Sequence, residues 1–150
     1  MAQATTFRFG AMVITLGDGA TPTEVFSAPC GLTEKAFNLS AETVSTNVPD
    51  CDNPDGATWT ETDVRSRTAT INGSGVLARE SQKVWRDFFL QDTSKNIKVL
   101  FPGNLAQGGG TWTGKGRLTS LEMGAAIGER VNVSINIEGD GAWTFTPAAA

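Results

Sequence analysis

From Val131 onward the chain alternates: Val131, Val133, Ile135 and Ile137 stand between Asn132, Ser134, Asn136 and Glu138. A period of two places one apolar and one polar face on an extended segment, so this stretch predicts a half-buried strand. A helix would scatter the same residues around its circumference. Gly139-Asp140-Gly141 follows, three residues that tolerate tight backbone geometry, and then Ala142 to Thr146, where Trp143 and Phe145 share a face. The spacing predicts a chain reversal and a hairpin. Upstream, Arg117 to Met123 predicts another strand, joined to the alternating one through Gly124 to Arg130.

The rest of the chain is punctuated in the same short units. Phe7 to Leu16 predicts a strand turned by Gly17-Asp18-Gly19, and Glu24 to Ala28 and Ala36 to Ser45 predict two more around the break at Pro29-Cys30-Gly31. Thr46 to Asp63, with Pro49, Asp50, Asp52, Asn53, Pro54, Asp55 and Gly56, lacks periodicity and predicts a long acidic loop. Arg65 to Leu77 and Ser94 to Phe101 predict strands, and Gly108-Gly109-Gly110 a turn. One segment, Glu80 to Leu90, carries helical spacing: Val84 with Phe88 and Trp85 with Phe89 are i,i+4 pairs. These four are the expected helix core anchors. The 150 residues suit one domain, 1–150, and the element order predicts a mainly β fold, a β-sandwich or partial barrel flanked by one α-helix. Residues 1–6 and 147–150 are expected to be flexible arms.

Charge is unevenly spread. Residues 1–63 carry nine acids and two bases, residues 64–100 three acids and seven bases, and the remainder four acids and three bases. An acidic early part and a basic middle suit head-to-tail association of copies.

Catalytic and metal chemistry finds few groups to work with. With no His, the commonest general base and metal ligand is missing, and Cys30 and Cys51 alone form neither a zinc site nor a disulfide framework. Reduced thiols are expected. Gly109 to Lys115 comes close to a phosphate-binding loop, but Gly116 stands where a Ser or Thr would hold magnesium. Asp50 to Gly56 fails the calcium-loop register, because Pro54 takes the fifth position and Asp55 the glycine position. Neither a catalytic set, a metal site nor a cofactor is expected. Trp59 and Trp112, as surface aromatics, leave one binding alternative, a carbohydrate-binding β-sandwich module. No basic start with an apolar run opens the chain, and no apolar stretch reaches membrane-spanning length, so the expectation is action where the protein is made, without membrane insertion.

The ordered combination resembles the major tail tube proteins of long non-contractile (siphovirus-type) phage tails and of gene transfer agents. It consists of a Gly-rich early strand, the Trp59-Thr60-Glu61 region, one Val84-Trp85-Arg86 helix, then strand, Gly128-Glu129 connection, alternating strand and Glu138-Gly139-Asp140-Gly141. That resemblance implies a structural virion protein forming hexameric rings, with sheets joining into a ring barrel. The rings would stack head to tail into a hollow tube that conducts DNA to the host cell without binding it specifically. It implies partners among other tail proteins, such as tape measure, tail tip and terminator, with assembly in the bacterial host cytoplasm and a final place in the virion tail. Under it, residues 46–63 become an inter-ring loop carrying Asp50, Asp52, Asp55, Glu61 and Asp63. Glu122, Asn132, Ser134, Asn136 and Glu138 become the candidate lumen-facing set.

Overall fold

The structure is a computed structural model describing residues 2–19 and 24–148. Met1, Ala149 and Ala150, which belong to the expected arms, lie outside the described residues. The elements in chain order are β1 (Val13–Gly17), β2 (Phe26–Ser27), β3 (Leu32–Val48), β4 (Trp59–Val76), α1 (Arg79–Leu90), β5 (Lys95–Phe101), β6 (Gly110–Gly124), β7 (Asn132–Gly139) and β8 (Thr144–Pro147). Short 3-10 turns cover Phe9–Ala11 and Leu105–Gln107.

Among the described residues all strands belong to one antiparallel sheet in the order β2-β1-β5-β6-β7-β4-β3, with β8 added on β6. The sheet rolls up on itself. Lys35 of β3 donates to the Met12 carbonyl just before β1 at 2.7 Å and sits 4.1 Å over the Phe9 ring, although β1 and β3 lie near opposite ends of the strand order. Burial lowers the Lys35 pKa. Phe37, also on β3, touches Trp112 of β6 and Trp143, with ring centroids 5.9 and 5.5 Å apart. The expected partial barrel is therefore one curled sheet rather than two separate ones.

Alternation explains the interior. Val133, Ile135 and Ile137 of β7 are buried with Ile71, Ile97, Val99, Leu118, Ile14 and Leu16, and α1 covers them with Trp85 and Phe88. The helix buries Ser81, Trp85 and Phe88, an i, i+4, i+7 set. Ser81 is polar, yet its hydroxyl accepts from the Cys30 amide at 2.8 Å and donates to the Cys30 carbonyl at 3.1 Å, fastening the helix start to the β2–β3 connection. Of the four expected anchors, Trp85 and Phe88 are buried, Val84 packs partly buried against the core, and Phe89 is 49% exposed. Phe89 points away because the stripe that includes Ser81 and Trp85 passes through position 88.

Two further expectations are corrected. Gly139-Asp140-Gly141 does not reverse the chain: β7 pairs with β6 as far as Gly116↔Gly139, and β8 resumes along the same edge with Thr113↔Thr144. The Asp140 amide bonds the Lys115 carbonyl at 2.7 Å, and Gly141, at φ 85°, opens a short jog before the ladder continues. A hairpin would need a free edge on β7, and β4 already occupies it from Thr70 to Val76. Pro147 is likewise held opposite Gly110 rather than loose.

The second concerns residues 46–63. Thr46 pairs with Glu61 and Val44 with Asp63, so only 49–58 is loop, and the flanks are the ends of a long β3–β4 hairpin.

Candidate functional site

Three surfaces stand out. The first is the outer face of the four strands β3, β4, β7 and β6. Register brings together rows Glu34–Ser74–Ser134–Glu122, Ala36–Asn72–Asn136–Ser120 and Asn38–Thr70–Glu138–Arg117, with Asn132 beside Val76 and Gly124. The five residues expected to act together, Glu122, Asn132, Ser134, Asn136 and Glu138, therefore share one face, opposite the core. Small hydroxyl and amide groups make up most of it, and three carboxylates give it its charge. The Ser74 hydroxyl donates to Glu34 at 3.2 Å. Arg117, the ladder partner of Glu138, turns instead to Asp140 at 3.7 Å and to the Asp92 carbonyl at 2.7 Å. Among the described residues no ion pair neutralises Glu34, Glu122 or Glu138.

Both outer edges of this four-stranded patch are open. Among the described residues β3 pairs with β4 on one side only, and β6 pairs with β5 only through Gly116, leaving 117–124 without a ladder partner on that side. Unpaired strand edges are templates for further pairing. The sequence alone could not find them, because edge status depends on which strands pair.

The second surface is the projecting half of the β3–β4 hairpin. Beyond Ala69 every residue of β4 toward the tip is exposed, as is every residue of β3 from Asn38 to Val48. About ten residues per strand at roughly 3.3 Å each make a two-stranded ribbon about 30 Å long. Among the described residues it has no third strand and no covering layer. Cross-strand polar pairs hold it instead: Ser40 with Thr68 at 2.6 Å, Thr60 with Asn47 at 2.9 Å, and Glu42 with Ser66 at 3.3 Å and Arg65 at 3.6 Å. Asp50, Asp52 and Asp55 lie in the tip loop, and Glu61 and Asp63 on the strand below, all exposed. Trp59, 86% exposed, faces Val48 at the base of that loop.

The basic residues that follow Asp63 do not form a single patch. Arg65 and Arg67 ride on the ribbon itself, while Lys95 and Lys98 are half-buried over the rings of Phe88 and Phe26. Arg79, Lys83 and Arg86 remain exposed on α1, with Arg86 beside Asp87 at 3.8 Å. The start of α1 directly follows the end of β4, so Arg79 and Lys83 lie at the end of the sheet opposite the ribbon tip.

The third is a cleft of about 800 Å³ where the ribbon diverges from β8, walled by Leu39, Arg67, Ala69, Trp112, Ala142 and Trp143. Trp112 is half-buried within the aromatic cluster of Phe37, Trp143 and Phe145, so it and Trp59 do not make a common stacking platform. Cys30 and Cys51 are free and exposed, one before β3 and the other in the tip loop. Among the described residues no group of three acidic or Cys side chains could hold a metal ion, and no helix is long and apolar enough to cross a membrane.

The family model described as phage tail tube protein matches residues 6–145. The chain belongs to the phage tail tube protein family. It is a structural component of a virion tail, as the sequence resemblance implied. No curated protein matches its sequence. Among solved structures, the tail of an empty gene transfer agent particle with C6 symmetry aligns at TM-score 0.76 and 21% identity, covering 94% of this chain and 99% of that one. The virion of a native gene transfer agent particle gives 0.74 at 20% over the same shares, and the SPP1 tail tube 0.67 at 11%, covering 97% and 81%. These likenesses show that the rolled sheet with one helix is the tail tube fold.

Proposed function

We propose that this tail tube protein closes into six-membered rings by joining β3 of one subunit to the 117–124 edge of β6 in the next. The observation that carries this is the four-stranded patch with both edges open. Its strands alternate in direction from β6 to β3, so β3 beside a neighbour's β6 continues the antiparallel order without a break. Ring closure then leaves neither edge of the patch exposed. The C6 symmetry of the gene transfer agent tail supports the number.

With α1 and the rolled strands covering the inner face, the polar outer face is the one available to line a channel. Glu34, Glu122 and Glu138, set among Ser, Thr and Asn, repel phosphate, and Arg117, in the same rows, is taken up by Asp140 and the Asp92 carbonyl. DNA passes without being held. Until ejection, the same lumen accommodates a tape measure protein, with tip and terminator proteins at the tube ends and assembly in the host cytoplasm.

Stacking uses opposite ends of the subunit. The acidic ribbon projects from one end, and Arg79 and Lys83 lie at the other, so a head-to-tail repeat apposes unlike charges and propagates without closing. Residues 49–58, with Asp50, Asp52 and Asp55, and the ribbon residues Glu61 and Asp63, are the inter-ring contact. Trp59 supplies its apolar anchor.

Negative-stain images of the purified protein at increasing concentration test this reading. Rings and hollow tubes are expected; a monomer at every concentration and salt, with no tubes, would overturn it.

A further inference from the structure

The turn between β6 and β7 has an unusual surface. The Glu129 amide bonds the Ala126 carbonyl at 3.1 Å, and Gly128 takes φ 83°, so the turn is tight and pushes Ile127 outward. Ile127 is fully exposed, behind Ala125 and Ala126. Among the described residues nothing covers this apolar tip. At the other end of the same strand lies the cleft beneath the ribbon, whose walls include Leu39, Trp112 and Trp143. From Trp112 to Gly124 the strand runs about 40 Å, so the tip and the cleft of one subunit cannot meet. In a head-to-tail repeat along that direction they face each other.

We propose that Ile127 of one copy seats in this cleft of the next copy along the tube axis, an apolar inter-ring contact beside the ribbon. The proposal rests on the stacked-tube reading. The cleft volume, about 800 Å³, lies in the range of about 300–1,000 Å³ that encloses a compact ligand, which is ample for the Ala126-Ile127-Gly128 turn. The charges also complement each other. Arg67 on the wall and Glu129 beside Ile127 are both exposed, and neither has an ion pair within the described residues. The seated turn brings the carboxylate to the guanidinium, as its apolar tip covers the indole rings.

The test uses the full chain with Cys30→Ser and Cys51→Ser, carrying Ile127→Cys and Ala142→Cys together. Oxidising assembled tubes should give a ladder of covalent multimers on a denaturing gel, while the monomer gives none. Tubes of normal appearance without a ladder would overturn the contact and leave the ring-stacking reading intact. If the Cys30→Ser, Cys51→Ser parent forms no tubes where wild type does, the same pair is introduced into the wild-type chain and the ladder scored against wild-type tubes. If wild type forms no tubes at all, both readings fall. Independently, Ile127→Asp should leave the monomer melting temperature unchanged and raise the concentration needed for tubes at least tenfold. Arg67→Glu and Glu129→Arg should each weaken assembly, and combining them should restore it. Assembly of Ile127→Asp at the wild-type concentration would overturn the proposal.

Discussion

Truncating Trp85 and truncating Phe89 should have very different consequences, although the two stand four residues apart on one helix. Trp85 is 2% exposed and lies in the same buried cluster as Leu118, Ile135 and Phe88; replacing it with Ala leaves a large cavity and costs about 3–5 kcal/mol. Against a total stability of about 5–15 kcal/mol this is a large fraction. At about 2–4 °C per kcal/mol for a domain of this size, the melting temperature should fall by roughly 6–20 °C. Phe89 has half its surface in water, and full burial of such a side chain contributes about 1.5–3 kcal/mol, so its truncation should cost about 1 kcal/mol. The indole nitrogen of Trp85 is buried without a partner among the described residues. Trp85→Phe removes that unsatisfied donor while keeping most of the volume, and should fall between the two. The assay is thermal circular dichroism at concentrations below tube formation, since assembly would itself stabilise the folded state. A Trp85→Ala monomer that melts within about 2 °C of wild type, or a Phe89→Ala monomer that loses more than Trp85→Ala, would refute the assignment of which helix face meets the sheet.

Deleting Pro49 to Gly56 should leave a folded subunit that forms rings but no long tubes, as judged by electron microscopy; normal tubes would show the ribbon tip to be dispensable. Neutralising Asp50, Asp52, Asp55, Glu61 and Asp63 together should make tube formation less salt-dependent. Exposed ion pairs contribute only about 0–1 kcal/mol each and are screened over about 8 Å at 0.15 M salt. Glu34→Lys, Glu122→Lys and Glu138→Lys combined should leave tube dimensions intact and convert a non-binding tube into one that retains short DNA duplexes in a co-sedimentation assay. Gly114→Val should unfold the subunit, because a side chain there collides with the Trp143 indole; a native melting curve would contradict that packing.

The elements that could be read directly from the chain are those with a buried face. β7 declares itself because Val133, Ile135 and Ile137 each meet the core, and the sequence must alternate to put them there. The outer ribbon gives no such signal: Thr46 to Val48 and Trp59 to Val64 are exposed on both faces, so no hydrophobic period marks them as strands, and the intervening Pro and Asp residues make the whole look like loop. The Gly139-Asp140-Gly141 jog was illegible for a different reason, since only the long-range occupation of β7's second edge by β4 forbids the reversal. On α1, adjacent Phe88 and Phe89 left the register open, and the residue that settles it is Ser81, whose burial depends on its bonds to Cys30. The polar face of β7 was legible as a face, and its bearing on function had to await the strands that flank it.

The contrast between the two ends of the β3–β4 hairpin also has a mechanical consequence. From Leu32 to Phe37 the hairpin is welded into a packed block, where any deformation must displace close-fitting aromatic and branched side chains. Past Ala69 it is a bare two-stranded strip, free to twist at little cost because nothing packs behind it. A tube of such subunits divides its compliance accordingly: stiff hoops that keep the bore open, joined by soft leaf springs that let the axis curve. Bending would then concentrate at the joints between hoops and leave the cross-section of the channel unchanged.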